Sequence, residues 1–302
     1  MSNIAKVCAI IVTYHPNLST LANLLSSLQN QVPQIAIVDN TGTSMVETWL
    51  SSYSSTIPIQ FFNPKNNLGL GTAHNLAMQW ALVNQFEYIL LFDQDSIPAT
   101  TMVAELLKTH QALCMLGYQV AAVGPVYFET NTKKMSRFLL LEGWQIKKQT
   151  CQGDQWLPAS FLITSGSLIA TDTLVHIGML DEQLFIDYVD IEWCFRAVSK
   201  GFQCFGVCSA HMEHSLGENV IRLLGYNFYQ YSSIRKYYLL RNTWLLFKRH
   251  YFPFIWKLRQ GLRIYLHLAC YTLLMPNRWP ALKMALLGTI HGMVGRTGKY
   301  PG

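Results

Sequence analysis

Two pairs of carboxylates, each pair one residue apart, are the chemically loaded points of this 302-residue chain: Asp93 and Asp95 in LFDQDS, and Asp190 and Glu192 in YVDIEWCFRA. Five consecutive large apolar residues, Tyr88–Phe92, run straight into the first pair. An unpaired carboxylate inside such an apolar run costs several kcal/mol. Asp93 and Asp95 therefore belong at the C-terminal edge of a buried strand, where open α/β sheets place their ligands. A hard divalent cation carrying a diphosphate would satisfy two carboxylates so placed. A solvated turn would satisfy them too, and the flanking sequence has to decide.

The elements that would position these residues follow one pattern. Val7–Tyr14, Gln34–Asn40 and Pro58–Asn63 read as further strands, with helices expected over Leu18–Leu28 and Thr43–Tyr53. The turn NNLGLGTAHN (Asn66–Asn75) opens a helix that runs to about Gln85. Thr100–Leu116 is helical, and Val120–Phe128, Phe161–Ala170 and Gly201–Val207 have strand character. Strands that alternate with helices and end in polar residues predict an α/β fold with a doubly wound, mostly parallel sheet. One edge of it would gather Thr13-Tyr14, Asp39-Asn40 and Asp93-Gln94-Asp95. Tyr14 could stack on a base and Asp39 could accept a pyrimidine N3–H; a core tyrosine and a helix cap are the plainer alternatives. Residues 129–158 lose the periodicity and read as a mobile hairpin or lid. Neither a dinucleotide fingerprint after the first strand nor a phosphate loop is present.

Charge divides the chain. Residues 1–218 hold 10 Lys and Arg against 17 Asp and Glu, whereas residues 219–302 hold 13 basic residues and no acidic one. Such asymmetry calls for an anionic partner at the rear. Arg235, Lys236, Arg241, Lys248, Arg249, Lys257, Arg259 and Arg263 interleave there with aromatic and aliphatic residues at helical spacing. This suits helices lying at an anionic membrane surface, with the basic residues toward the headgroups. A packed cap or homo-oligomer interface is the alternative, and no nucleic-acid reader motif accompanies the charge. No stretch is apolar enough to predict a spanning helix. Seven scattered cysteines predict reduced thiols in a cytoplasmic protein. Cys204, Cys208, His211 and His214 sit too close together for the usual zinc pattern, so Cys204 and Cys208 are expected to be buried thiols.

The ordered series IIVTYHP, IVDN, NLGLGTAHN, LFDQDS and LDEQLFIDYVDIEWCFRA resembles glycosyltransferase family 2 over about residues 7–218. The DQDS form, with MEHSLGE and YYLLRN, is most similar to its bacterial dTDP-rhamnosyltransferases. The resemblance implies a GT-A fold and inverting transfer of a sugar from a nucleotide diphosphate. It implies dTDP-L-rhamnose as donor, a lipid-linked glycan as acceptor and Mg²⁺ or Mn²⁺ as cofactor.

Carried over by position, Asp39 reads the pyrimidine, with Thr13 and Tyr14 lining its pocket. Asn67, Gly69 and Asn75 support the nucleotide, as do Asp93 and Gln94. His74 stands where many members carry a basic residue toward the diphosphate. Asp93, Asp95 and His214 become the metal ligands and Asp190 the general base. Asp187, Glu192 and Arg196 become acceptor-binding residues; Val189 replaces the usual acid before the base, which leaves Asp187 as its substitute.

The resulting division is a catalytic unit over 1–218 and a membrane-associating helical segment over 219–302, peripheral at the inner face of the plasma membrane. A UDP-hexose donor and a non-catalytic nucleotide-sugar binder are the rival readings. A processive synthase is disfavoured because Met275 occupies the Gln position of Q-x-x-R-W.

Overall fold

The run VCAIIVT forms β1 (Val7–Thr13), buried along its whole length. Alternate side chains enter two cores, Cys8, Ile10 and Val12 on one face and Val7, Ala9 and Ile11 on the other. A strand with a core on each face must be apolar at every position, which is why its sequence does not alternate. The computed structural model describes residues 6–215, 220–223, 226–229, 232–274 and 278–302.

The first half of the chain is wound as expected. After β1 come α1 (Leu18–Leu28), β2 (Gln34–Asp39), α2 (Met45–Ser52), β3 (Ile59–Phe62), α3 (Leu70–Val83), β4 (Tyr88–Asp93), β5 (Ile97–Pro98) and α4 (Met102–Met115). Asn17 caps α1, its side chain accepting from the Ser19 and Thr20 amides. β1 pairs in parallel with β2 and β4, and β2 with β3. Helices α1 and α4 cover one face through Leu21, Leu25, Val103 and Leu106, and α3 covers the other through Ala73, Ala77 and Met78.

β6 (Val120–Glu129) follows, then β7 (Lys134–Met135), the hairpin β8–β9 (Phe138–Glu142 and Gln145–Gln149), β10 (Trp156–Ala159), β11 (Leu168–Ala170), α5 (Thr171–Ile177), α6 (Val189–Ser199) and β12 (Gln203–His214). The order across the main sheet is β10-β12-β6-β11-β4-β1-β2-β3. β12 runs parallel to β6, while β11 is antiparallel to β4 and β10 antiparallel to β12. The sheet is thus mixed and mostly parallel.

Three expectations need correction. Phe161–Ala170 contributes only three residues of strand, because Gly166 (φ 82°) turns the chain just before it. The cysteines are not all reduced: Cys151 and Cys208 form a disulfide that ties the segment after β9 to β12. That pairing removes Cys208 from any zinc set, while Cys204 is a buried free thiol. Finally, the segment from Ile221 starts as a hairpin, β13–β14 (Val220–Leu223 and Tyr226–Tyr229), as its β-branched and aromatic content favours. The expected boundary at 218/219 lies outside the described residues.

Three helices close the chain: α7 (Ser233–Phe247), α8 (Phe254–Leu274) and α9 (Arg278–Val294). Several of their basic residues turn inward instead of toward a partner. Lys257 Nζ donates to the Phe247 and Arg249 carbonyls (both 2.8 Å) at the end of α7. Lys248 Nζ donates to the Met293 carbonyl (2.6 Å) at the end of α9. Lysines satisfy orphan carbonyls at helix C-termini, where the dipole also favours them. Arg249 pairs with Asp181 at 2.8 Å, and Arg241 is fully buried. Among the described residues no helix is long and apolar enough to cross a membrane.

Candidate active site

The parallel strands deliver their polar ends to one edge. Thr13 Oγ1, at the end of β1, donates to Asp39 Oδ1 at the end of β2 (2.9 Å), and the Thr41 amide donates to the same oxygen (3.1 Å). Asp39 is fully buried and its second oxygen, Oδ2, has no partner. A buried carboxylate oxygen left without a donor is costly, and a pyrimidine N3–H is the kind of group that would complete it. Tyr14 stands beside it, half exposed and in a T-shaped contact with the His15 ring. Gln94 locks this tyrosine to the acidic loop, accepting from the Tyr14 amide (2.7 Å) and donating to its carbonyl (3.2 Å).

Asp93 and Asp95 lie at the end of β4, partly exposed, as the apolar run before them requires. Two serines fix the backbone beneath them. Ser165, from the turn before β11, accepts from the Asp93 amide (3.2 Å) and bonds Ser96 (2.6 Å), and Ser96 holds His214 Nδ1 (2.8 Å). His214, at the end of β12, comes within 3.9 Å of Asp93 Oδ2 and 3.6 Å of Asp95 Oδ1. Burial raises the Asp95 carboxyl above the ordinary range, the His214 ring draws it back, and the Asp93 charge raises it again. Two like charges so close call for a cation. No ready-made set of three ligands stands together among the described residues. Even so, the two carboxylates suit Mg²⁺ or Mn²⁺, and the imidazole beside them fits Mn²⁺ better than Mg²⁺.

Across from this edge, α6 carries Asp190 in its first turn. Burial pushes its carboxyl up to about 6; the Ile191 amide holds it down and the charge of Asp93 adds to the rise. A carboxylate raised toward neutrality is suited to take a proton. The loop before α6 is strained: Phe185, Asp187 and Tyr188 have φ of 64°, 63° and 65°. Non-glycine residues hold this left-handed conformation only where their surroundings impose it.

Helix α7 supplies that constraint. Asn242 Nδ2 donates to the carbonyls of Leu184 (2.9 Å), Ile186 (2.6 Å) and Asp187 (3.1 Å). Arg241 Nη2 donates to the Leu184 carbonyl (2.7 Å) and to Asn242 Oδ1 (2.8 Å), orienting the amide. Arg235 holds the Asp187 carboxylate (2.9 Å). The sequence reading missed Ser96, Ser165, Arg241 and Asn242 as supporting residues; their sequence signals were the serine of LFDQDS and the arginine–asparagine pair of YYLLRN.

Several expected contact residues hold the scaffold instead. Asn75 is buried, bonded to both backbone groups of Leu180 and to Glu182. Asn67 accepts from the Gly69 amide within its own turn. Gly69 (φ 88°) is needed because a Cβ there would lie 2.7 Å from the Phe185 carbonyl oxygen. The NLGLGTAHN turn therefore abuts the loop before α6. His74 is fully buried with neither ring nitrogen partnered, and burial lowers it to about 3, so it stays neutral and inside. Glu192 is only 1% exposed, paired with Arg196 (2.9 Å) and accepting from the Tyr251 hydroxyl. Arg196 also donates to the Ile177 and Met179 carbonyls. That network engages most of the hydrogen-bonding capacity of Glu192 and Arg196 within the fold.

Comparison with known proteins agrees with this geometry. The chain matches Glycosyl transferase family 2 over residues 8–175. It is 27% identical over 297 residues to a dTDP-rhamnosyl transferase, RfbF, of Shigella flexneri, covering 97% of each chain. It is 26% identical to a galactofuranosyltransferase, GlfT1, of Mycolicibacterium smegmatis, covering 69% of this chain and 70% of that one. Among solved structures, GalNAc-T7 with UDP, GalNAc and Mn²⁺ superposes with a TM-score of 0.59 at 13% identity. The match covers 98% of this chain but 57% of that longer one. S. aureus TarS 1–349 in complex with UDP-GlcNAc gives 0.57 at 14% identity, covering 95% and 81%. With a family match over more than half its length and a GT-A architecture, the chain belongs to glycosyltransferase family 2.

Proposed function

We propose that this enzyme transfers L-rhamnose from dTDP-L-rhamnose to a lipid-linked glycan in polysaccharide synthesis, with inversion at the anomeric carbon. The observation that carries the chemistry is Asp190, raised to about 6 and facing the Asp93 edge. Similarity to a dTDP-rhamnosyl transferase over 97% of both chains supports the donor.

Asp39 accepts the thymine N3–H with its free Oδ2, and Tyr14 covers the base. Asp93, Asp95 and His214 would hold Mg²⁺ or Mn²⁺, which when bound offsets charge growing on the leaving diphosphate. Asp190 accepts the proton of the acceptor hydroxyl as that oxygen bonds to the anomeric carbon, on the face opposite the diphosphate. The carbon–oxygen bond to the diphosphate breaks and dTDP departs with its electron pair. Asp187 lines the acceptor side, its carboxylate oriented by Arg235. The acceptor's lipid would bring residues 219–302 to the anionic inner face of the plasma membrane.

A UDP-sugar donor is the second reading, favoured by the galactofuranosyltransferase relative and the UDP-bound structural neighbours. Measuring nucleotide release from dTDP-L-rhamnose, UDP-glucose and UDP-galactofuranose decides between them. The proposal expects preferential release of dTDP; equal or faster release of UDP would overturn it.

A further inference from the structure

Helix α9 is built inside out. Its small residues face the protein: Ala281, Ala285, Gly288 and Gly292 are all buried. A Cβ on Gly288 would lie 2.4 Å from the Tyr237 carbonyl oxygen, and one on Gly292 would lie 2.5 Å from that of Arg241. The backbones of α7 and α9 thus approach closely; Met284 and Leu287 pack beside them, and the other face of α9 keeps large side chains outside. Leu286, Ile290, Met293 and Val294 are each more than half exposed, and Trp279 is 71% exposed. A helix on a water-facing surface places its residues the other way round.

The described first half of α8 repeats the pattern. Ile255, Trp256 and Gln260 are buried, whereas Leu258, Leu262, Tyr265 and Leu266 form an exposed stripe at i, i+4, i+7 and i+8. Arg259 and Arg263 stand exposed beside that stripe, and Lys283 on the outer face of α9.

We propose that the outer faces of α8 and α9 bed into the headgroup and acyl boundary of an anionic lipid bilayer, lying in its plane. This extends the reading of a lipid-linked acceptor and gains its purpose from it. The charge excludes a simpler occupant. Two copies meeting through this face would bring Arg259, Arg263 and Lys283 together, and no residue after Glu218 is acidic to pair with them. Lipid phosphates supply that charge while acyl chains cover the leucines. The structure also shifts the contact away from Lys248, Arg249 and Lys257, which are engaged within the fold.

Flotation of the full-length protein with phosphatidylcholine vesicles, alone or mixed with phosphatidylglycerol, tests this. Wild type is expected to float with the mixed vesicles, and high salt should weaken binding without abolishing it. The double variant Leu286→Glu/Ile290→Glu should lose at least tenfold in apparent affinity with an unchanged circular dichroism spectrum. The double variant Arg259→Glu/Arg263→Glu should lose most of the preference for phosphatidylglycerol. If the leucine variant proves unstable, quenching of wild-type Trp279 by brominated phosphatidylglycerol, read against Trp279→Phe, replaces it. Absence of flotation at low salt, absence of quenching, or a dimer that the leucine variant dissociates would overturn the proposal. All variants should release dTDP from dTDP-L-rhamnose in vesicle-free buffer containing a soluble acceptor analogue as wild type does. Protein that floats yet releases no dTDP would support this face and count against the transfer reading instead.

Discussion

Replacing Asn242 by alanine tests how far catalysis depends on a residue that reaches no substrate. Three non-glycine residues in the left-handed region, Phe185, Asp187 and Tyr188, cost about 1–2 kcal/mol each, so the loop before α6 stores roughly 3–6 kcal/mol. The Asn242 amide opposes this with two N–H groups shared among three of its carbonyls. At about 1 kcal/mol net for each of the two N–H donors, and more where a carbonyl is left buried and unpaired, the brace contributes roughly 2 kcal/mol or more. That offsets a good part of the stored strain, so Asn242→Ala should let the loop relax and Asp190 move. A misplacement of about 1 Å costs on the order of 10²-fold in rate. The expected result is kcat lower by about two orders of magnitude. Calorimetric titration should still give a dTDP affinity within about twofold of wild type, because the donor edge lies on β1, β2 and β4. Asn242→Gln should not rescue, since its longer arm cannot hold the same three carbonyls. Wild-type kcat in Asn242→Ala, or a loss of dTDP affinity equal to the loss of rate, would refute the reasoning.

Other outcomes follow from the same coordinates. A base raised to about 6 is active only when deprotonated, so kcat/KM should fall as pH drops through about 6; a flat profile down to pH 5 would exclude Asp190. The folded state disfavours ionised Asp190, so Asp190→Asn should raise Tm at pH 7.5, an advantage that disappears below the unfolded carboxyl pKa of about 3.9. Gly288→Ala, which forces a Cβ to 2.4 Å from the Tyr237 carbonyl oxygen, should cost about 1–3 kcal/mol and lower Tm by several degrees, and an unchanged melt would contradict the close α7–α9 approach. Non-reducing peptide mapping should recover Cys151 linked to Cys208, whereas alkylation of both without reductant would show the pair to be open.

The catalytic edge was legible in the sequence because burial leaves a clear mark. A strand covered on both faces, such as Ile89–Phe92, must be apolar throughout, so the first carboxylate after it announces the edge. The supporting residues leave no such mark. Ser165 and Ser96 are small polar residues whose significance comes from meeting across 69 positions of sequence. Glu192 and Arg196 sit at i, i+4 as any surface pair does, and nothing in that spacing announces the burial of Glu192 or its bond to Tyr251. Asn75 and His74 looked like ligand-facing groups because a glycine-bearing turn precedes them, yet α3 turns both inward. The basic excess after Glu218 was visible, but not that Lys248 and Lys257 would cap helices and leave apolar stripes exposed. A disulfide spanning 57 residues has no local signature at all.

Whether Asp190 takes the acceptor proton while the Asp93–Asp95 edge holds the donor is tested most directly by one paired measurement on Asp190→Asn. Its dTDP-L-rhamnose affinity in Mg²⁺ is determined alongside its rate of transfer. The account predicts affinity within about twofold of wild type and transfer slower by about 10²–10⁴, the range a positioned general base supplies. Transfer at the wild-type rate, or donor binding lost together with transfer, would contradict it.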